Sequence, residues 1–437
     1  MYRMTALLSL TTALACLSFG TGPAHAGDWP QWGRTNDKNM VAPDAGNLPI
    51  TFDPGKEDEK TGFIKPGTTK NVLWVAKMGS QTYGNPTISN GRVYVGTNND
   101  SRKDPRFKGD YSLLKCLDEK TGKTLWTLTV PKLGTGKVSD WESLGICSSP
   151  AVDGDRVYIV TNRCEVLCLD AKGLADGNDG PFKQEAQYMA NGLDEDKPKP
   201  PVAVKPTDAD ILWRYDMRLD LGIFPHNITS SSILVVDNLL YVATSNGVDW
   251  SHTNIPNPRA PSLIAVNKTT GAYAGSEFTD MGFNILHGGW SSPAHGTVNG
   301  KDLVFFGGPD GYLYGFKAEP QTVEGEPALK EVFKVDGNPK HYRFKKDEKT
   351  GKFVKDSDGK LVPIKYVKRY GPSEFIATPV FYKNRIYIPI GQDPEHGPGA
   401  GRLICVDATK TGNLSDQVVN ENKTKITDNP DHGLVWT

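Results

Sequence analysis

Cys116-Leu117-Asp118-Glu119-Lys120-Thr121-Gly122-Lys123-Thr124-Leu125-Trp126 is the stretch whose reading decides the fold. An Asp followed by Thr-Gly makes a tight turn, in which glycine takes the positive φ that other residues resist. The apolar residues before the turn and the Trp after it then form two short antiparallel strands, the second with a large apolar anchor. Weaker forms of the phrase are Cys168-Leu169-Asp170, Ala265-Val266-Asn267 with Thr270-Gly271, and Cys405-Val406-Asp407 with Thr411-Gly412. Three cysteines share one place in the phrase, which points to small-residue packing rather than redox chemistry.

Ahead of each copy lies a second phrase, a Ser/Thr-Pro strand, a turn, and a strand ending in Val-Tyr-Val or similar. Its copies are Asn85-Pro86-Thr87-Ile88 with Arg92-Val93-Tyr94-Val95, Ser149-Pro150-Ala151-Val152 with Arg156-Val157-Tyr158-Ile159, and Ser232-Ile233-Leu234-Val235 with Leu239-Leu240-Tyr241-Val242. Two more follow, Ser292-Pro293-Ala294-His295 with Leu303-Val304-Phe305-Phe306, and Thr378-Pro379-Val380-Phe381 with Arg385-Ile386-Tyr387-Ile388. Each unit supplies about four short strands, and repeated four-stranded units predict an all-β propeller. Five blades are expected between Leu73 and Gly412. Gly433-Leu434-Val435-Trp436-Thr437 reads as a further, partial blade, so the chain is expected to stop short of a closed ring of seven or eight.

The 437 residues include 46 Gly and 31 Pro, in keeping with many tight turns. Lys plus Arg (50) nearly cancel Asp plus Glu (51), which argues against a nucleic-acid partner. Beyond the N-terminus no stretch is apolar enough to span a membrane. Residues 27–437 are read as one domain with a polar, Pro-rich insertion at about 171–210 and a basic hairpin insertion at about 340–369. Asp176-Gly177-Asn178-Asp179-Gly180 is read as a turn, because it lacks the full ligand pattern of a calcium loop.

Met1–Ala26 has one basic residue, an apolar run from Thr5 to Phe19 and a closing Ala24-His25-Ala26, the pattern of a secretory signal peptide. Export to the periplasm or the extracellular space follows. A lipid anchor at Cys16 ranks lower, because Ala13 stands where a lipobox has Leu. Cys116, Cys147, Cys164, Cys168 and Cys405 remain after cleavage, an odd number that leaves at least one thiol free in a monomer. A bridge between Cys147 and Cys164 stays open as an alternative.

The Thr-Gly-x-x-x-Trp phrase resembles the tryptophan-docking motif of the pyrroloquinoline-quinone (PQQ) propeller superfamily. The Ser-Pro and Arg-Val-Tyr-Val repeats are similar to that superfamily's repeat, and Asp28-Trp29-Pro30-Gln31-Trp32-Gly33-Arg34 is similar to the opening of quinoprotein alcohol dehydrogenases. The superfamily includes both dehydrogenases and non-catalytic scaffolds, such as the outer-membrane assembly lipoprotein. Against the dehydrogenases, the chain has no adjacent cysteine pair, no Gly-Ala-Glu segment for calcium and no Cys-x-x-Cys-His for haem. Ser245-Asn246-Gly247-Val248-Asp249-Trp250 is similar to the stretch that bears their calcium-binding Asn, which maps that role onto Asn246. PQQ with calcium is therefore a possible cofactor, and no metal site is assigned.

If the Ser-Pro strands line the propeller axis, the residues just before them ring one mouth of the channel. Those segments hold Tyr83, Glu142, His226 with Asn227, His287 with Trp290, and Glu374. With Asn246 they form the candidate ligand-binding set. His396, in Gly391-Gln392-Asp393-Pro394-Glu395-His396, is read as an ordered turn or a metal-ligand loop. The function expected is an exported, non-catalytic binding or scaffold module, monomeric, taking a protein, polymer or small-molecule partner at the mouth. The alternative is a PQQ- and calcium-dependent dehydrogenase of an alcohol or sugar, with Glu142 or Glu374 as base.

Overall fold

A computed structural model describes residues 27–43, 45–46, 49–101, 104–193, 198–364, 371–391 and 401–437. The Met1–Ala26 leader, Cys16 within it, and His396 lie outside the described residues. Where one turn-and-strand phrase recurs, one register should recur, and five sheets bear this out. The first pairs β1 (Thr87–Ser89), β2 (Arg92–Asn98), β3 (Tyr111–Asp118) and β4 (Thr124–Pro131) antiparallel in chain order. The second is β5 (Ala151–Asp153), β6 (Arg156–Val160), β7 (Glu165–Asp170) and β8 (Ile211–Asp216). The third is β9 (Leu234–Val236), β10 (Leu239–Ala243), β11 (Leu263–Asn267) and β12 (Tyr273–Glu277).

The fourth sheet holds β13 (Ala294–Val298), β14 (Lys301–Gly307) and β15 (Tyr312–Lys317). Its outer strand is β18 (Glu331–Asp336), reached through the hairpin β16 (Gln321–Val323) and β17 (Glu326–Leu329). The fifth runs β19 (Val380–Tyr382), β20 (Arg385–Ile390) and β21 (Arg402–Asp407), followed by β22 (Gly412–Asn413) and a separate hairpin, β23 (Gln417–Val419) and β24 (Ile426–Asp428). β25 (Leu434–Trp436) pairs with β21, Trp436 opposite Cys405. The stretch read as opening a further blade is thus the fourth strand of the fifth. Among the described residues no helix is long and apolar enough to cross a membrane.

The third strand of each blade explains its small residue. Cys116 lies opposite Tyr94 on one side and Trp126 on the other, and Cys168 likewise between Tyr158 and Trp213. Cys405 sits between Tyr387 and Trp436, and Gly315 between Phe305 and Phe333. Two large rings flank each of these four positions, so only a small side chain fits between them, whereas in the third blade Ala265 faces Tyr241 on one side and Gly275 on the other. The five cysteines among the described residues are free thiols, and the Cys147–Cys164 alternative is not formed. Burial pushes the thiols of Cys116, Cys164 and Cys168 up to about 12.

The core is divided into slabs between neighbouring sheets. One packs Tyr94, Leu114, Trp126 and Leu128 of the first blade on Val157, Ile159, Leu167 and Leu169 of the second. The next sets Tyr158, Val166 and Trp213 against Leu240, Val242 and Ile264. Equivalent slabs join the third to the fourth blade and the fourth to the fifth. Because strand residues alternate faces, each blade gives one set of side chains to the blade before it and the other to the blade after.

Polar contacts join the blades at two radii. Near the axis, the Asn85 N–H donates to Ser149 Oγ (2.9 Å), the Ser149 N–H to Ser232 Oγ (3.0 Å) and the Ser232 N–H to Ser292 Oγ (2.9 Å). Ser291 Oγ continues the series to the Ala377 carbonyl (2.8 Å). At the rim, Trp126 Nε1 donates to the Ala171 carbonyl of the next blade (2.8 Å), and Trp213 Nε1 reaches Lys268 O (3.3 Å). Gly271, at φ +75°, lies under Trp213, where a Cβ would come 2.6 Å from the indole. The link between third and fourth strands also reaches back to pair in parallel with the preceding blade's outer strand, as Asp208 does with Thr127, β17 with β12 and β22 with β18.

Residues 29–37 bind all five inner strands at one level. Trp29 pairs with Ile88, and Pro30 O accepts from the Val152 N–H (2.7 Å). Asn36 Nδ2 donates to Val235 O (2.8 Å), and Asn36 O accepts from the His295 N–H (2.8 Å). Asp37 O accepts from the Phe381 N–H (2.9 Å). Each partner is the second residue of its inner strand. The segment therefore plugs the axis at that level, leaving the N-terminal ends of the inner strands to form the opposite mouth.

Candidate functional site

At those N-terminal ends three loops of the third and fourth blades meet. His226 comes from the loop entering β9, His252 from the loop between β10 and β11, and His287 from the loop entering β13. Two bridges hold the loops in register, Pro225 opposite Asn246 and Gly247 opposite Gly288. The His226 N–H donates to Ser245 O (3.1 Å) and the Val248 N–H to His287 O (2.9 Å). Residue 247 must be glycine for the loops to close this tightly, since a Cβ there would lie 2.5 Å from His226 Cβ and 2.7 Å from the His287 carbonyl.

The three imidazoles surround one point. Ring centroids are 4.5 Å apart for His226 and His287, 5.0 Å for His226 and His252, and 4.8 Å for His252 and His287. The interplanar angles are 56°, 77° and 47°, so no pair stacks. One ring nitrogen from each can be chosen so that all lie within 4.8 Å of one another. His226 and His287 are buried, and His252 is half-buried on the solvent side.

The surroundings fix the two buried rings. His226 Nδ1 is 2.7 Å from the Val248 carbonyl, and a carbonyl only accepts, so Nδ1 carries a proton and in the neutral ring Nε2 has the lone pair. Glu374, buried on the loop entering β19, puts Oε1 3.8 Å from His287 Nδ1. That oxygen has no hydrogen-bond partner among the described residues. The Trp290 ring lies 5.0 Å from His287 and 5.9 Å from His226, and its Nε1 donates to the His226 carbonyl (3.3 Å).

Of the residues singled out in the sequence, His226, His287, Trp290 and Glu374 come together here. Asn246 lies on the central bridging segment, but its side chain is used locally, Oδ1 accepting from the Phe224 N–H (3.0 Å) and Nδ2 donating to Asn257 O (3.0 Å). Asn227 turns the chain at φ 59°, with its backbone bonded to Val138 and Trp141. Tyr83 and Glu142 are exposed, and among the described residues no hydrogen bond, ion pair or ring contact joins them to the imidazoles. His252 was not singled out. Its signal was positional, since a residue leaving β10 lies at the same end of the blade as one entering β9.

Among the described residues the donor set does not fit PQQ with calcium. Calcium takes several oxygen ligands, whereas the donors gathered here are imidazole nitrogens with one carboxylate. Asn246, the residue mapped to calcium, is buried and held by local hydrogen bonds at both ends of its amide. A groove of about 610 Å³ lined by Pro258, Glu277, Phe278 and Phe283 opens elsewhere, and no mouth residue lines it.

Residues 109–174, which contain the Cys116–Trp126 phrase and the first three strands of the second blade, match a family model described as the outer membrane protein assembly factor BamB. No curated protein matches the chain. Among solved structures, the quinohemoprotein alcohol dehydrogenase of Comamonas testosteroni is 15% identical with a TM-score of 0.39 over 88% of this chain and 60% of its own. BamB of Moraxella catarrhalis is 14% identical with a TM-score of 0.30 over 72% of this chain and 81% of its own. The chain thus spans about 60% of the length of the Comamonas enzyme.

Proposed function

We propose that this chain, a PQQ-like repeat β-propeller, is an exported, non-catalytic binding module that takes its ligand at the channel mouth. The observation that carries the reading is the gathering of His226, His287, Trp290 and Glu374 from loops entering three consecutive blades. Side chains far apart in sequence meet there in one buried, polar cluster. The assembly-factor description of the matching family model favours a protein as the partner held by the surrounding loops. Export rests on the leader pattern of Met1–Ala26.

The test is to add PQQ and calcium chloride to the purified mature chain. No stoichiometric quinone absorbance and no alcohol-dependent dye reduction are expected. Uptake of one quinone per chain together with dye reduction by an alcohol or sugar would overturn the module reading in favour of a dehydrogenase.

A further inference from the structure

We propose that His226, His252 and His287 form a binding site for one divalent transition-metal ion of the zinc, cobalt or copper class. The proposal deepens the mouth-ligand reading by naming a ligand class for the same site. Three of the six histidines among the described residues are gathered at this one point, from three separate loops. Imidazole nitrogen suits ions of borderline softness, and three histidines with a position left open form a familiar donor set for them.

The outer contacts match what such a site requires. Metal-binding histidines usually give their second N–H to a carbonyl or carboxylate, which fixes the tautomer and aims the other nitrogen at the ion. His226 does this through Nδ1 and Val248 O, which leaves Nε2 as its ligand atom. Glu374 Oε1 stands in the corresponding place beside His287 Nδ1, at 3.8 Å. It acts as a positioning residue, aiming His287 Nε2 at the same point. A tetrahedral ion with Zn–N bonds of about 2.05 Å needs its nitrogens about 3.3 Å apart. The ring nitrogens, within 4.8 Å of one another, close that gap by a small inward movement, for which the half-buried His252 has the most room. A tetrahedral ion takes one ligand beyond the three imidazoles.

The experiment uses the mature chain without an affinity tag, stripped with a chelator and desalted. Titration with cobalt(II) should produce visible d–d bands that saturate at one ion per chain, zinc(II) should abolish them by competition, and calcium should not. His252→Ala, a half-buried change whose fold is checked by circular dichroism, should remove saturable binding. Glu374→Gln should weaken it roughly 10- to 100-fold, and His295→Ala should leave it unchanged. No bands at stoichiometric cobalt in the wild-type chain, or undiminished binding by the folded His252→Ala chain, overturns the metal site. Unchanged affinity in Glu374→Gln overturns the positioning role. Quinone uptake with dye reduction would defeat the module reading alone, and absence of metal uptake would defeat this proposal alone.

Discussion

Lys38 holds its place at the axis at a cost. Its Nζ donates to Gln31 Oε1 (2.8 Å) and to the Trp32 carbonyl (3.0 Å), and the side chain is almost wholly buried. Burial pushes the ammonium down to about 7, against a weaker opposing pull from Asp37. The unfolded chain keeps that proton up to the ordinary lysine range, so between about pH 7 and 10 the unfolded state binds more protons than the folded one. Stability contributed by this site therefore rises with pH, at up to about 1.4 kcal/mol per pH unit. The urea midpoint of a chain of residues 27–437 should climb from pH 7 to pH 9, and Lys38→Met should flatten the climb. An identical slope in both proteins would count against it. The buried tyrosines work in the opposite sense, since Tyr94 and Tyr241 are raised by burial, but only above the ordinary tyrosine range.

At the scale of the blade, the unit of stability is the seam between neighbours. Trp126 is fully buried, bonded to Ala171 O, and lies 5.9 Å from Tyr94. Trp126→Ala should cost about 3–5 kcal/mol in a denaturant titration. Leu125→Ala, next to it on the exposed face, should cost less than about 1 kcal/mol. Comparable losses at the two positions would mean that the Trp seam does not hold the blades together. This level of organisation was largely legible in the sequence. The turn phrase, the small residue of the third strand and the inner-strand Ser or Thr recur because the blades solve the same local problem. What repetition did not reveal was the use made of Ser149, Ser232 and Ser292, whose hydroxyls accept backbone N–H groups from the neighbouring blade.

Across the whole molecule, the N-terminal segment couples blades that otherwise touch only their neighbours. Removing residues 27–40 takes a hydrogen-bond partner from Ile88, Val152, Val235, His295 and Phe381, at about 1 kcal/mol per lost bond. The shortened chain should unfold at lower denaturant than the mature chain and expose the inner strands to protease under native conditions. Equal midpoints and equal protease resistance would show that the blades hold together without the plug.

The sequence by itself determined the blade: its short strands, its turns and the docking Trp. Those follow from side-chain alternation and turn chemistry, which act over a few residues and leave a readable pattern. It also pointed to the loops entering the inner strands as a candidate site, which placed His226, His287, Trp290 and Glu374 among the candidates. Only the tertiary structure decided which of these meet, added His252, and separated Tyr83 and Glu142 from them. It also showed Asn246 bonded to the backbone and residues 29–37 lying across five inner strands. The physical reason is that such convergence depends on how successive sheets stack around the axis, a sum of long-range packing that no single stretch of residues encodes.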